Sequence, residues 1–119
     1  MSTSPTRRLY VQKVLGLYRC APGTKGALGR SDRALAGTLY DRGVSINVVV
    51  GAIILAVARR TFRSATAAPL DPIASLHYFR PVIEELLVEP TVPGYLDYLK
   101  HKLHAVAPDF ATAIDHQLP

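Results

Sequence analysis

The chain has 119 residues, of which 49% are hydrophobic and 19% charged, a balance that excludes a disordered polyelectrolyte and fits one domain with its own core. Its formal charge is +5 and its pI about 9.7, which directs attention to a polyanionic partner. One cysteine, Cys20, excludes an intrachain disulfide, and the N-terminus MSTSPTRRLY lacks the apolar stretch of a secretory signal, so a cytoplasmic setting is expected.

The spacing of Leu9, Tyr10, Val14, Leu17 and Tyr18 predicts a first helix from about Pro5 to Cys20. Arg8 and Arg19 lie eleven residues apart in it, close to three turns, and share a face. Pro22 and Gly23 end the helix in the stretch APGTKGALGRSDR. Ser31 is the expected N-cap of a second helix, about Asp32 to Arg42, with Leu35 and Leu39 inward and Gly43 as its stop. Ser45 then caps a third helix, about Ile46 to Phe62. It is apolar nearly all round and belongs at the centre of the fold.

Residues 64–70, SATAAPL, read as a linker. Asp71 and Pro72 open a helix through Ile73, Leu76, Tyr78 and Phe79, which Pro81 kinks or splits from a segment over 82–88. After a rigid Pro-Gly turn, a further helix runs from about Tyr95 to Val106, and a short terminal one from Asp109 to about His116. The run INVVV falls inside the longest helical period, so no strand is expected. The expected fold is all-α, a single compact bundle of five or six helices around a central apolar helix.

Charge divides unevenly along the chain. Residues 1–63 hold eleven Lys and Arg against Asp32 and Asp41, a net +9, whereas residues 64–119 hold three against seven acids, a net −4. This asymmetry points to a nucleic acid or an anionic membrane on the basic side and a protein partner on the other. The apolar run over 44–58 is too short and too interrupted to span a bilayer comfortably.

The glycine stretch is a near miss to a phosphate-binding P-loop. Gly23 is followed by five residues before Gly29, Arg30 and Ser31, where the motif requires four before Gly-Lys-Ser/Thr, and no strand precedes it. Two readings stay open: a phosphate-backbone contact built from Lys25, Arg30, Arg33 and a helix N-terminus, or a plain connection between helices. The second and third helices carry helix-turn-helix punctuation. Asn47 is nearly the sole polar side chain on the third before Arg59, so a conventional reading face is missing and a core hairpin competes with the DNA-binding reading.

The candidate nucleic-acid contacts are therefore Arg7, Arg8, Arg19, Lys25, Arg30, Arg33, Arg42, Arg59, Arg60 and Arg63, binding phosphates with little sequence preference and steep salt dependence. Tyr10, Tyr18 or Tyr40 are candidates to stack on unpaired bases.

Catalysis is not expected. Glu84 and Glu85 are adjacent and diverge by about 100° on a helix, and no nucleophile, base and stabilising donor group together. Asp97, His101 and His104 form a weak metal-like face with nothing nearby to complete a ligand set, so neither metal nor cofactor is expected.

The run DRALAGTLYDRGVSINVVVGAIILAVARR followed by PLDPIASLHYFRPVIEELL resembles the helical module of replication-initiation and primosomal proteins of the DnaD type. Ala52, Ile53 and the tyrosine-containing segment over 78–87 carry the resemblance, which covers roughly residues 31–88. It implies a small bacterial accessory protein of replication or of a mobile element that binds DNA non-specifically and contacts a helicase or initiator.

Overall fold

A computed structural model describes residues 5–25, 27–64 and 66–117. Among these residues there are six α-helices, α1 (Pro5–Cys20), α2 (Arg30–Asp41), α3 (Ile46–Thr61), α4 (Arg80–Val88), α5 (Tyr95–Val106) and α6 (Pro108–Gln117), with a 3-10 turn at Leu76–Phe79 and no strand. The Cα radius of gyration is 14.1 Å, close to the roughly 13.5 Å expected of one compact body of this length. The all-α bundle read from the periodicity is the fold observed.

The centre is α3. Its ten consecutive residues from Val49 to Ala58 are all buried, because α1 packs on one side of it, α4 and α5 on others, and the 3-10 turn near its end. Ser45 caps it, the hydroxyl accepting from the Asn47 amide at 3.1 Å, which satisfies one donor of the open first turn. At Gly51 helix α5 comes so close that a Cβ would stand 2.8 Å from Leu96 Cδ1.

Helices α1 and α2 are antiparallel neighbours, as the Arg7 and Asp41 ion pair between the start of one and the end of the other requires. The end of α2 is a Schellman motif: Gly43, at φ 76°, donates to Tyr40 O, and Val44 donates to Leu39 O. A left-handed residue is needed there, and glycine takes that conformation without strain. Tyr10 then donates its hydroxyl to Val44 O at 2.9 Å, which fixes this corner against α1.

Three local expectations are corrected. Leu9 faces solvent, 51% exposed. The N-cap of α2 is Gly29, not Ser31, and Asp32 inside the first turn accepts from the Gly29 amide instead. No helix opens at Asp71, because Ile73 spends its backbone on a parallel bridge, donating to Gly23 O at 2.7 Å and accepting from the Lys25 amide at 3.0 Å. Helical structure begins only at Leu76, capped by Ser75.

The split expected at Pro81 is present, between a 3-10 turn and α4. Pro81 occupies the first turn of α4, where no amide partner is missed, so the 3-10 turn and α4 meet at Phe79–Arg80. The terminal helix α6 is a working part of the core: Phe110, Ala111 and Ile114 are buried, packed between α1 and α5. The basic and acidic halves of the sequence thus interleave in space.

Candidate nucleic-acid interface

The end of the bundle where α1 and α3 finish, α2 starts and the 3-10 turn sits is assembled by the glycine stretch. Gly23, at φ 89°, turns the chain out of α1, and the bridge to Ile73 ties the loop to the segment before the 3-10 turn. Arg60 crosses directly over Gly23: a Cβ there would lie 2.9 Å from its Nε. The same guanidinium donates to Asp71 O and stands 5.8 Å from the centre of the Tyr78 ring.

Asp32 is the buried hub of this end. It is 4% exposed, and its two oxygens accept separately, from the Gly29 amide and from the Leu76 amide, each at 2.9 Å. Ser31 Oγ and His77 Nε2, 2.8 Å apart, add a second link from α2 to the 3-10 turn. The anion at the N-terminus of α2 is therefore the chain's own carboxylate. A phosphate cradle at that helix end, one of the two readings of the loop, meets a position already taken.

The ten cations singled out in the sequence fall into distinct environments. Arg7 binds Asp41 through two hydrogen bonds of 2.9 and 3.0 Å. Arg42 binds Glu84 at 2.6 and 3.3 Å, and Arg59 binds Glu85 at 3.1 and 2.6 Å. Arg60 and Arg63 donate to the carbonyls of Asp71 and Ala68, which fixes them without cancelling their charge. Among the described residues, Arg19, Lys25, Arg30 and Arg33 are exposed and have no carboxylate within ion-pair reach, and the same holds for Arg8 near the start of α1.

The structure thus brings Arg19, Lys25, Arg30, Arg33, Arg60 and Arg63 to one end of the bundle. Arg7, Arg8 and Arg42 lie toward the other end, about 16–18 Å away along α1 from Arg19 or along α2 from Arg30. Arg42 and Arg59 are held by carboxylates from the acidic half, which position in the sequence alone could not reveal.

The three candidate stacking rings are unavailable. Tyr18 is fully buried, edge-on to Phe79. Tyr10 is buried with its hydroxyl engaged, and burial pushes its phenol up to about 12. Tyr40 is half-buried against it. The exposed rings are Phe62, Tyr78, Tyr95 and Tyr98, which sequence reasoning missed because helical periodicity marks a ring as inward or outward only once the neighbouring elements are placed.

The ion pairs carry a pH dependence. Hydrogen bonds from Arg7, Arg42 and Arg59 hold Asp41, Glu84 and Glu85 below the ordinary carboxylate range, with the guanidinium charges adding to the effect. Groups depressed in the folded state contribute stability that is present above their unfolded values, near 4, and lost as pH falls through the folded ones. The melting temperature should therefore decline below about pH 4, and in 0.5 M salt the same titration should be shallower, because these pairs are exposed and screened. Thermal melts followed by circular dichroism across pH 2–7 at two salt concentrations measure this, and an acid response identical at both would contradict it.

Among the described residues no group of three or more metal-ligating side chains occurs, and no helix is long and apolar enough to cross a membrane. Asp97, His101 and His104 are exposed on α5. The chain matches no protein-family model, no curated protein and no solved structure.

Proposed function

We propose that this chain is a small, non-enzymatic, cytoplasmic nucleic-acid-binding accessory protein that holds the phosphate backbone on the end formed by α1, α2, α3 and the 3-10 turn. The observation that carries the reading is the sorting of its cations. Arg7, Arg42 and Arg59 are neutralised by carboxylates at the far end and along α4, and of the other seven only Arg8 lies at the far end, whereas Arg19, Lys25, Arg30, Arg33, Arg60 and Arg63 keep their charge where four elements converge. Arg60 and Arg63 are held in place by carbonyls, so little side-chain entropy is left to lose on binding. Contacts of this type position a polyanion and carry no sequence information.

A protein partner on the C-terminal half forms the second part of the proposal. Leu87, Val88 and Val92, around the turn from α4 to α5, are exposed, Val88 at 86%, the kind of apolar side chains that contact with another chain would cover. A replication or mobile-element setting, which the likeness to the DnaD type implies, would unite the two surfaces.

Fluorescence anisotropy against single-stranded DNA, duplex DNA and RNA of equal length tests the reading. The expected result is micromolar affinity at 50 mM salt, with log K falling linearly in log salt at a slope of about −3 to −5 for four to six phosphate contacts. No affinity for any of the three at low salt would refute it.

A further inference from the structure

Next to the arginines at the end of α3 lies a groove of about 340 Å³ between α3 and α5, lined by Leu55, Arg59, Phe62, Tyr95, Tyr98 and Lys102 among others. Phe62, Tyr95 and Tyr98 are 38%, 41% and 55% exposed. The Lys102 ammonium stands 4.3 Å from the centre of the Phe62 ring and 5.6 Å from that of Tyr98. One cation within reach of both rings shows that they flank a common spot.

From this geometry we infer that the Phe62 and Tyr98 groove takes the unstacked bases of a single-stranded nucleic acid whose phosphates run over Arg60 and Arg63. The inference rests on the nucleic-acid reading above and adds the strand form and the place of base contact. The ring faces over which the Lys102 ammonium stands are those on which a flat base would stack in its place, and base stacking on aromatic rings is tolerant of sequence. Lys102, on a flexible stem, can turn from the rings to a phosphate as a base enters. Arg59 lines both this groove and the neighbouring hollow that Arg60 and Arg63 line with Tyr78, so the aromatic site adjoins the cationic one.

Charge bounds the path. Glu85 and Glu89 line the adjoining hollow with Tyr95, and Arg59 on the shared wall is already paired with Glu85. A strand is repelled on that side and favoured toward Arg60 and Arg63. A duplex cannot use the groove without unstacking a base, at a cost of a few kcal/mol, so the site discriminates between strand forms.

The test uses the wild-type protein with a single-stranded thymidine or uridine oligonucleotide and with an abasic oligonucleotide of the same length and charge. The base-bearing strands should bind about tenfold tighter or more than the abasic one. A Phe62→Ala/Tyr98→Ala variant, both positions being exposed, should keep its melting temperature and its affinity for the abasic strand while losing the difference. Equal, salt-dependent affinity for base-bearing and abasic strands would overturn the stacking inference and leave the phosphate reading standing. A base preference that survives in the variant would also overturn it, placing the bases elsewhere and leaving the rings to a protein partner. No affinity for any strand would remove the phosphate reading, and the inference with it.

Discussion

Replacing Asp32 by alanine should destabilise the fold by about 3 kcal/mol. The carboxylate accepts from two amides, Gly29 and Leu76, and is 4% exposed. Removing it strands both donors, the Leu76 amide in a buried setting, at about 1–3 kcal/mol each. For a chain of this size 3 kcal/mol corresponds to a fall of roughly 12 °C in melting temperature. Asp32→Asn retains one acceptor oxygen and should lose about half as much. Ser31→Ala, which removes the exposed link to His77, should cost less than about 1 kcal/mol. Urea denaturation of the three variants measures the series. A loss below about 1 kcal/mol for Asp32→Ala would show that the two amides find other acceptors and that Asp32 is not the hub of this end.

Reversing Lys25, Arg30 and Arg33 together to glutamate should weaken nucleic-acid binding on the order of a hundredfold at 0.1 M salt and make the slope of log K against log salt shallower by about two. Stability should change by less than about 0.5 kcal/mol, as for exposed side chains that make no structural contact. These three have no intramolecular carboxylate among the described residues, so their loss breaks nothing in the fold. The control is Arg42→Gln, about 18 Å along α2 from Arg30, whose charge is already answered by Glu84. It should leave affinity within about threefold. A single Arg30→Gln variant removes the same unit charge as Arg42→Gln and should weaken binding about fivefold; equal losses in these two would mean that binding follows net charge and not this end of the bundle.

The fold was legible because its signals are local. The helices expected from about Pro5 to Cys20 and from about Tyr95 to Val106 follow from apolar spacing and from the breaks at Pro22, Gly23, Pro93 and Gly94, and among the described residues both are present. Gly43 and Ser45 mark the corner before α3 through conformational and capping preferences that need no distant partner. Where a contact spans the chain, local preference gave way. Asp71 and Pro72 are good helix openers, but the backbone of Ile73 is claimed by Gly23 and Lys25, almost fifty residues earlier. Ser31 is a good cap, but Asp32 accepts from both the Gly29 and the Leu76 amides, and the helix starts earlier, with Gly29 as its N-cap.

The candidate interface was legible in kind and not in arrangement. A count of cations identifies the polyanion hypothesis, yet which cations are neutralised depends on tertiary contacts such as Arg42 with Glu84 and Arg59 with Glu85, 42 and 26 residues apart. The aromatic candidates failed for the same reason. Tyr10 and Tyr18 lie in the basic half, but their spacing along α1 turns them inward, whereas Phe62 and Tyr98 come from opposite halves and meet only through the packing of α5 on α3.

The most direct measurement is an amide chemical-shift map of the ¹⁵N-labelled protein titrated with a ten-nucleotide single-stranded oligonucleotide at 50 mM salt. The account predicts perturbations concentrated at 19–33 and 58–63, extending to the 3-10 turn and to Tyr98 and Lys102, with residues around Arg7, Arg42 and Glu84 silent. Shifts centred on Arg7 and Arg42, or no shifts at all, would contradict it.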